Sequence, residues 1–342
     1  MTLETNAVTS MTLADVQRRL VDCRASAWLG SVSFEERCIG SLIEFHRAGI
    51  TVENTFVFEY KRAAVRTPEE IAARQANKES LELLAAGVSR RPVTHVPIEA
   101  YSFQEFADCL TEIVADSDLE AVVIDVSCLT KIHTLALASA IATWPRSVNL
   151  MIAYSVPENY GVSTTKRRSL GWKDILVAPL AETAHLLNES QGRGIIVPGH
   201  EADRLIIGLA EMEPAGGLVL MADTPRRPDL RFLCERANQR VLKQLTVKHP
   251  EKWRREIVPL LNTSAVPRLV DKEIHAAAAA NAPILLFPFG PKIILFLVAT
   301  RLASSYPGGS WFVYPVPFGY SVDYSTGIEQ TLWTGLGGLG GE

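Results

Sequence analysis

The sequence has no surplus of charge of either sign. Its 342 residues carry 34 basic and 38 acidic side chains, a formal net charge of −4 at pH 7. A balance that close excludes the broad positive field with which proteins coat nucleic acid or anionic membrane, so no direct bulk nucleic-acid binding is expected. Cysteine is sparse: Cys23, Cys38, Cys109, Cys128 and Cys234 are scattered, odd in number and without a C-x-x-C pair. That argues against a disulfide framework or structural zinc and for a reducing compartment. Long apolar runs are missing; 283–288 and 293–299 fall far short of the ~20 residues a membrane span needs. The first 15 residues are polar and acidic, with neither a basic start nor an apolar stretch. No secretory signal is read there, and a cytoplasmic location away from membranes is expected. No histidine pair stands at metal-ligand spacing near a carboxylate, and no Walker A, H-E-x-x-H or G-x-S-x-G motif occurs. No metal or cofactor is therefore expected.

What is present is a globular composition, 47% apolar and 21% charged, at a length that suits two domains. Residues 1–24 read as a tail followed by a short amphipathic helix. Beyond them, β-rich runs at 27–32, 55–60, 93–98, 121–126 and 149–154 alternate with helical patterns at 35–48, 68–86, 103–115 and 131–143. Strand–helix–strand alternation with apolar strands predicts a parallel sheet with helices on both faces. A second series follows, with strands at 194–197, 217–221, 256–260, 284–287 and 311–314 and helices between them at 202–211, 231–245, 271–280 and 292–304. The expected boundaries are a first half at 25–160, an irregular basic connector at 161–192 that includes Lys166, Arg167 and Arg168, a second half at 193–334 and a Gly-rich tail at 335–342. The tail satisfies G-x-G-x-x-G from Gly335 to Gly340. With no strand read before it and no helix after it, the dinucleotide motif lacks its context.

The two halves match by residue as well as by element. Glu36-Arg37-Cys38-Ile39 aligns with Asp203-Arg204-Leu205-Ile206, an acid–arginine pair on the first turn after the first strand. After the fourth strand, Ser127-Cys128-Leu129-Thr130-Lys131 corresponds to Phe289-Gly290-Pro291-Lys292, and each lysine opens a helix. After the fifth, Tyr154-Ser155-Val156-Pro157-Glu158-Asn159-Tyr160 recurs as Tyr314-Pro315-Val316-Pro317-Phe318-Gly319-Tyr320. Three matched elements in one order predict an internal duplication.

In an open parallel sheet, ligands sit beyond the carboxyl ends of the strands, where helix N-termini converge. The matched residues all fall there. Ser33, Glu36 and Arg37 follow the first strand of one half, and His200, Asp203 and Arg204 that of the other. Ser127, Thr130 and Lys131 follow the fourth strand, with Lys292 as counterpart. Hydroxyls, helix-start N–H groups and an ammonium suit an anionic or phosphate ligand. Tyr160 and Tyr320 would stack on a base. Each assignment has a structural alternative. Arg37 and Arg204 would serve equally as partners of nearby acids, and the tyrosines as packed turn residues. Lys131 and Lys292 would serve as exposed first-turn lysines, although the helix dipole disfavours a cation at that end.

The stretch Val122-Val123-Ile124-Asp125-Val126-Ser127-Cys128-Leu129-Thr130-Lys131 resembles the fourth-strand signature of CARF domains, an apolar strand ending in Asp-x-Thr-Gly-Gly-Thr-Lys before a helix. Asp125, Ser127, Thr130 and Lys131 fit; Cys128 and Leu129 stand where the family has two glycines. CARF domains are Rossmann-like modules that bind cyclic oligoadenylates across a dimer axis, and the duplicated chain is similar to SAVED domains, two such modules in one polypeptide. The resemblance implies an α/β fold of two tandem Rossmann-like parallel-sheet domains and a single asymmetric nucleotide site shared by two pseudo-equivalent halves. It further implies a nucleotide-sensing role in antiviral defence through a separate effector partner. The oligomeric state is left open. Two other readings stand beside it. One is a metal-independent, ring-nuclease-like phosphodiesterase, or another nucleotide hydrolase, on the same scaffold. Lys131 would stabilise charge there, with His133 or His200 as acid or base. The other is a scaffold subunit of a larger complex.

Overall fold

The computed structural model describes residues 8–61, 67–116, 118–144, 148–160, 172–181, 192–224, 226–318 and 325–336. In chain order the elements begin with β1 (Val8–Met11), α1 (Leu13–Val21), β2 (Ser26–Ser31), α2 (Gly40–Ala48), β3 (Asn54–Tyr60) and α3 (Pro68–Val88). There follow β4 (Thr94–Ile98), α4 (Phe103–Asp116), β5 (Ala121–Asp125), α5 (Lys131–Ile141), β6 (Asn149–Val156) and the short β7 (Asn159–Tyr160). Next come β8 (Trp172–Pro179), β9 (Arg193–Val197), α6 (Ala202–Glu211), β10 (Gly216–Asp223), α7 (Pro228–Leu242) and β11 (Trp253–Pro259). The last are α8 (Val266–Ala279), β12 (Ile284–Pro288), α9 (Lys292–Ser305), β13 (Ser310–Pro317), β14 (Ser325–Thr326) and β15 (Gln330–Leu336). Helix starts follow local chemistry. Thr12 and Asp15 form a reciprocal capping box at α1. Thr67 accepts from Glu70 N at α3, where Pro68 occupies the first helical position.

The described residues form two compact units. One holds 8–133, 143–160 and 317–336; the other holds 134–142 and 172–316. In the first unit, β4-β3-β2-β5-β6 are neighbours in that order and every adjacent pair runs parallel. In the second, β11-β10-β9-β12-β13 are ordered and paired in the same way. Counted from the first strand of each series, both sheets read 3-2-1-4-5, the doubly wound Rossmann order. The fold is thus α/β with two Rossmann-like sheets, as the alternation predicts.

The central strands are buried along their length: β2, β5 and β12 have no exposed position. That is the signature of a parallel sheet with helices on both faces. The helices after the fourth strands are also apolar nearly all round. In α5, Ile132, Leu135, Ala136, Leu137, Ala138 and Ile141 are buried, and in α9 so is every residue from Ile293 to Ala299. Helices of that pattern are covered on more than one face.

Three expectations are corrected. Residues 1–10 read as a tail, but β1 begins at Val8. Residues 330–336, assigned to the second half and the tail, are β15, which pairs antiparallel with β6 on one side and β1 on the other. A strand therefore does run into the Gly-rich stretch, and its antiparallel pairing is not that of a dinucleotide motif. A Cβ at Gly335 would lie 2.5 Å from Met11 Sδ, so a larger residue there would require the Met11 side chain to shift. The strand is masked in sequence because it joins a sheet whose other strands end far upstream. Within the span read as an irregular connector, β8 joins the edge of the second sheet beside β13. Lys173 and Asp174 interrupt its short apolar run. Lys166, Arg167 and Arg168 lie outside the described residues.

Candidate functional site

In the first unit the carboxyl ends of β2, β5 and β6 converge on Arg37. Chain reversal after β2 brings this residue back over the sheet on a 3-10 turn, Glu36–Ile39. Arg37 is 3% exposed. Its Nε donates to Ser325 Oγ at 3.2 Å, its Nη1 donates to the Ser155 carbonyl at 3.2 Å, and its Nη2 donates to Glu35. The Ser325 hydroxyl in turn donates to Glu35. Ser325 stands on β14, which pairs antiparallel with β7 and so places Tyr160 opposite Ser325. Burial works against the guanidinium charge, but the Glu35 carboxylate together with Tyr154, Cys128 and Tyr160 holds the group well above its ordinary pKa. The acid that pairs with Arg37 is therefore Glu35. Glu36 is exposed and accepts from Gly327 N at 3.1 Å.

The β5–α5 loop is held as firmly. Asp125 Oδ1 accepts from Ser127 N at 2.8 Å, and its other oxygen accepts from Ser41, which also accepts from Trp28 Nε1 at 3.0 Å. Burial pushes the Asp125 carboxyl up, while its bonds to Ser127 and Ser41 pull it back. Ser127 Oγ accepts from Ser155 N at 2.7 Å, locking the loop to β6. Thr130 caps α5, its Oγ1 accepting from His133 N at 3.1 Å, while its own N–H donates to the Tyr60 hydroxyl at 3.0 Å. Lys131 then opens the helix at 8% exposure; it is buried rather than an exposed first-turn lysine. Ser33 is half-buried, with its hydroxyl accepting from Glu35 N and its carbonyl accepting from Asn77 Nδ2 at 3.1 Å.

His133 takes no part in acid–base chemistry here. It lies between the rings of Tyr60 and Phe106, with centroids 5.4 and 4.4 Å away. Its Nε2 donates to the Glu99 carbonyl at 3.0 Å, and the Tyr60 hydroxyl donates to Nδ1 at 3.4 Å. Burial drives its pKa down to about 3 against hydrogen bonds to the Glu99 and Ser102 backbone. A neutral, fully enclosed imidazole cannot exchange protons with a ligand, and the expectation for His133 is corrected accordingly.

The second unit repeats the arginine centre with different neighbours. Arg204, on the first turn of α6, is 1% exposed. It packs against the rings of Tyr314, Trp172 and Phe289 at 4.8, 5.2 and 6.0 Å from their centroids. Its Nη2 donates to the Tyr314 hydroxyl at 2.7 Å and to the Pro315 carbonyl at 3.2 Å, and Glu201 lies 3.5 Å from Nη1. Asp203 is exposed, so the neighbouring acid is again not the partner. His200 and Lys292 are half-buried, after β9 and at the start of α9. Tyr320 lies outside the described residues.

Sequence reasoning missed the asparagines. Asn77 on α3 donates to the carbonyl of Ser33, two residues beyond β2. Asn238 on α7 donates to the carbonyl of Gly199, two residues beyond β9, at 2.7 Å. Both helices lie between the second and third strands of their series. The two asparagines are 161 positions apart, the same offset as Lys131 and Lys292; that spacing was the available signal. Glu35 and Glu201 were hidden behind the more conspicuous Glu36 and Asp203.

Among the described residues no cluster of His, Cys, Asp and Glu could hold a metal ion, and no helix is long and apolar enough to cross a membrane. No protein-family model matches the chain, and no curated protein matches it. Solved structures do. A Type III CRISPR defence DNA nuclease activated by cyclic oligoadenylate superposes with a TM-score of 0.52 at 9% identity, over 84% of this chain and 65% of that one. This chain thus spans just under two thirds of that nuclease, and the likeness shows a shared fold. An Acinetobacter baumannii Cap4 SAVED/CARF-domain receptor, solved with the cyclic trinucleotide 2′3′3′-cAAA, matches at TM-score 0.31 and 9% identity, over 85% of this chain and 54% of that one. A deacetylase of teicoplanin biosynthesis matches at 0.27 and 13%, over 45% and 77%.

Proposed function

We infer that the chain is a sensor of a cyclic oligonucleotide, or of a related phosphorylated signal, that acts through a separate effector in antiviral defence. The observation that carries this reading is the buried Lys131, at the start of a helix capped by Thr130, in the loop that follows the fourth strand of a Rossmann sheet. A largely buried lysine beside helix-start N–H groups favours a phosphate over a neutral ligand. The shared fold with a cyclic-oligoadenylate-activated nuclease supports the ligand class.

The hydrogen bonds that Arg37, Asp125 and Ser127 make to neighbouring loops divide the expected residues by role. These three hold loops, as Arg204 does in the second unit, and position the groups that meet the ligand. Lys131, Thr130, Ser33, Glu36 and Tyr160 are the contacting set of the first unit, and His200, Asp203 and Lys292 that of the second, with Tyr320 as a further candidate. A thermal-shift panel of cyclic and linear oligoadenylates tests the reading. At least one cyclic member should raise Tm in the wild type and not in Lys131→Ala. No shift with any member contradicts it.

A further inference from the structure

Two helices carry opposite charge on their solvent faces. In the second unit, residues 226–256 hold ten basic side chains against four acidic ones, in a chain whose formal net charge is −4. Arg231 and Arg255 there are paired with Glu235. Arg236, Arg240 and Lys243 are exposed and have no acid within ion-pair distance among the described residues. They follow one another along α7 and its C-cap at i, i+4 and i+7, and 3.6 residues per turn puts them within about 60° of helix surface. Exposed apolar side chains close both ends of this stripe. Phe232 stands one turn before Arg236, and Val247 lies in the π-helical turn Lys243–Val247 that extends the helix. The helix dipole accounts for a cation in the last turn, but Arg236 precedes that turn.

In the first unit, α4 is the complement. It has four acidic residues and no basic one. Glu105, Asp108 and Glu112 are exposed, at i, i+3 and i+7, again within about 60° of helix surface. Lys61 pairs with Glu105 at 3.1 Å, and Asp108 and Glu112 have no cation within ion-pair distance among the described residues.

We propose that α7 of one copy of the chain packs antiparallel on α4 of a second copy. Steps of four and three along α7 meet steps of four and three read backwards along α4. Arg236 is then level with Glu112, Arg240 with Asp108 and Lys243 with Glu105. Two α7 stripes, or two α4 stripes, repel, so the contact joins unlike helices and is not a self-matched patch. A nucleic acid would account for the cations of α7 alone. It would leave the acidic stripe in matching steps, and the exposed Phe232 and Val247, without a role. Each exposed ion pair is weak by itself, so the association falls at about 10–100 µM and dissolves in salt. It requires no ligand and goes beyond the sensing reading.

Sedimentation velocity of the full chain from about 1 to 200 µM reads this association. At low ionic strength the wild type should shift to larger species as concentration rises, and about 0.5 M salt should return it to monomer. Arg236→Glu/Arg240→Glu/Lys243→Glu and Glu105→Lys/Asp108→Lys/Glu112→Lys each set like charges against one another and should weaken association at least about tenfold. Each variant should melt as the wild type does, since all six positions are exposed. Mixed in equal amounts, the two variants again present complementary stripes and should associate. A wild type that is monomeric throughout, association that neither reversal weakens, or a mixture that stays monomeric overturns the proposal. A monomeric wild type whose α7 stripe binds an oligothymidylate of about 20 nucleotides assigns that stripe to nucleic acid and overturns it equally. No nucleotide ring is present in these runs, so their failure is distinct from failure of the sensing reading.

Discussion

Arg37 donates to the carbonyl oxygen of Ser155 at 3.2 Å, and Arg204 makes the same bond at the same length to Pro315. Ser155 and Pro315 occupy one position of the repeated Tyr-x-Val-Pro element, and the two arginines occupy one position of the repeated turn after the first strand. An alignment drawn from residue identities is thereby reproduced by hydrogen bonds inside each unit separately. The asparagines add a second matched contact. Two Rossmann sheets of identical order, each closed by an arginine and an asparagine that grip equivalent carbonyls, are what duplication of one module leaves behind.

The arginine clamp should be costly to break from one side. Arg37→Met leaves Glu35 buried without its cation, a loss of about 3–5 kcal/mol. Arg37→Met/Glu35→Leu removes both charges and should recover most of that. Urea unfolding of the two variants checks the order. An equal loss in single and double variants would show that the pairing is not what Arg37 contributes.

Asn77→Ala and Asn238→Ala each remove the amide donor from a half-buried loop carbonyl and leave it only a weak thiol donor, Cys38 or Cys234, which costs about 0.5–1.5 kcal/mol. Asn238→Ala should cost more, because its amide also donates to the Cys234 carbonyl at 2.8 Å. Denaturation midpoints of the two variants measure this directly. Changes below a few tenths of a kcal/mol would mean that the carbonyls find other donors.

His133 gives the fold a pH dependence of known sign. Its pKa lies at about 3 in the folded chain, against 6.5 for the unperturbed group. The unfolded chain therefore binds the extra proton between those values, and stability falls as pH drops from 6.5 towards 3. Above 6.5 the contribution is fully present. His133→Phe keeps a ring between Tyr60 and Phe106 and removes the titration. Unfolding free energies from pH 4 to 8 should slope less steeply in that variant than in the wild type. Identical slopes would assign the dependence to other groups.

Much of this architecture was legible in the sequence, and what was not has physical reasons. The ten parallel strands announce themselves because buried strands such as Ala121–Asp125 are apolar up to their last residue and alternate with helical patterns. β1, β8 and β15 do not, since edge and antiparallel additions are short, interrupted by Lys173 and Asp174 or weakened by Gly335. At the candidate site, the repeat singled out Arg37, Arg204, Lys131 and Lys292 but not the acids that pair with the two arginines. Burial decides whether an arginine meets a ligand or a carboxylate, and Glu35 and Glu36 are indistinguishable until the backbone turn hides one and exposes the other. His133 read as an acid–base candidate because its enclosure by Tyr60, Glu99 and Phe106 is built from residues distant in sequence.

The most direct test of the sensing account is isothermal titration of cyclic oligoadenylates of two to six nucleotides, in stoichiometric excess, into the wild-type chain, Lys131→Ala and Arg47→Ala. Arg47 is an exposed arginine of α2 outside the proposed contacting set. Saturable binding of at least one ring by the wild type and by Arg47→Ala, weakened at least about tenfold in Lys131→Ala, is the predicted result. Absence of binding by every ring, or binding that Lys131→Ala leaves unchanged, would contradict the account.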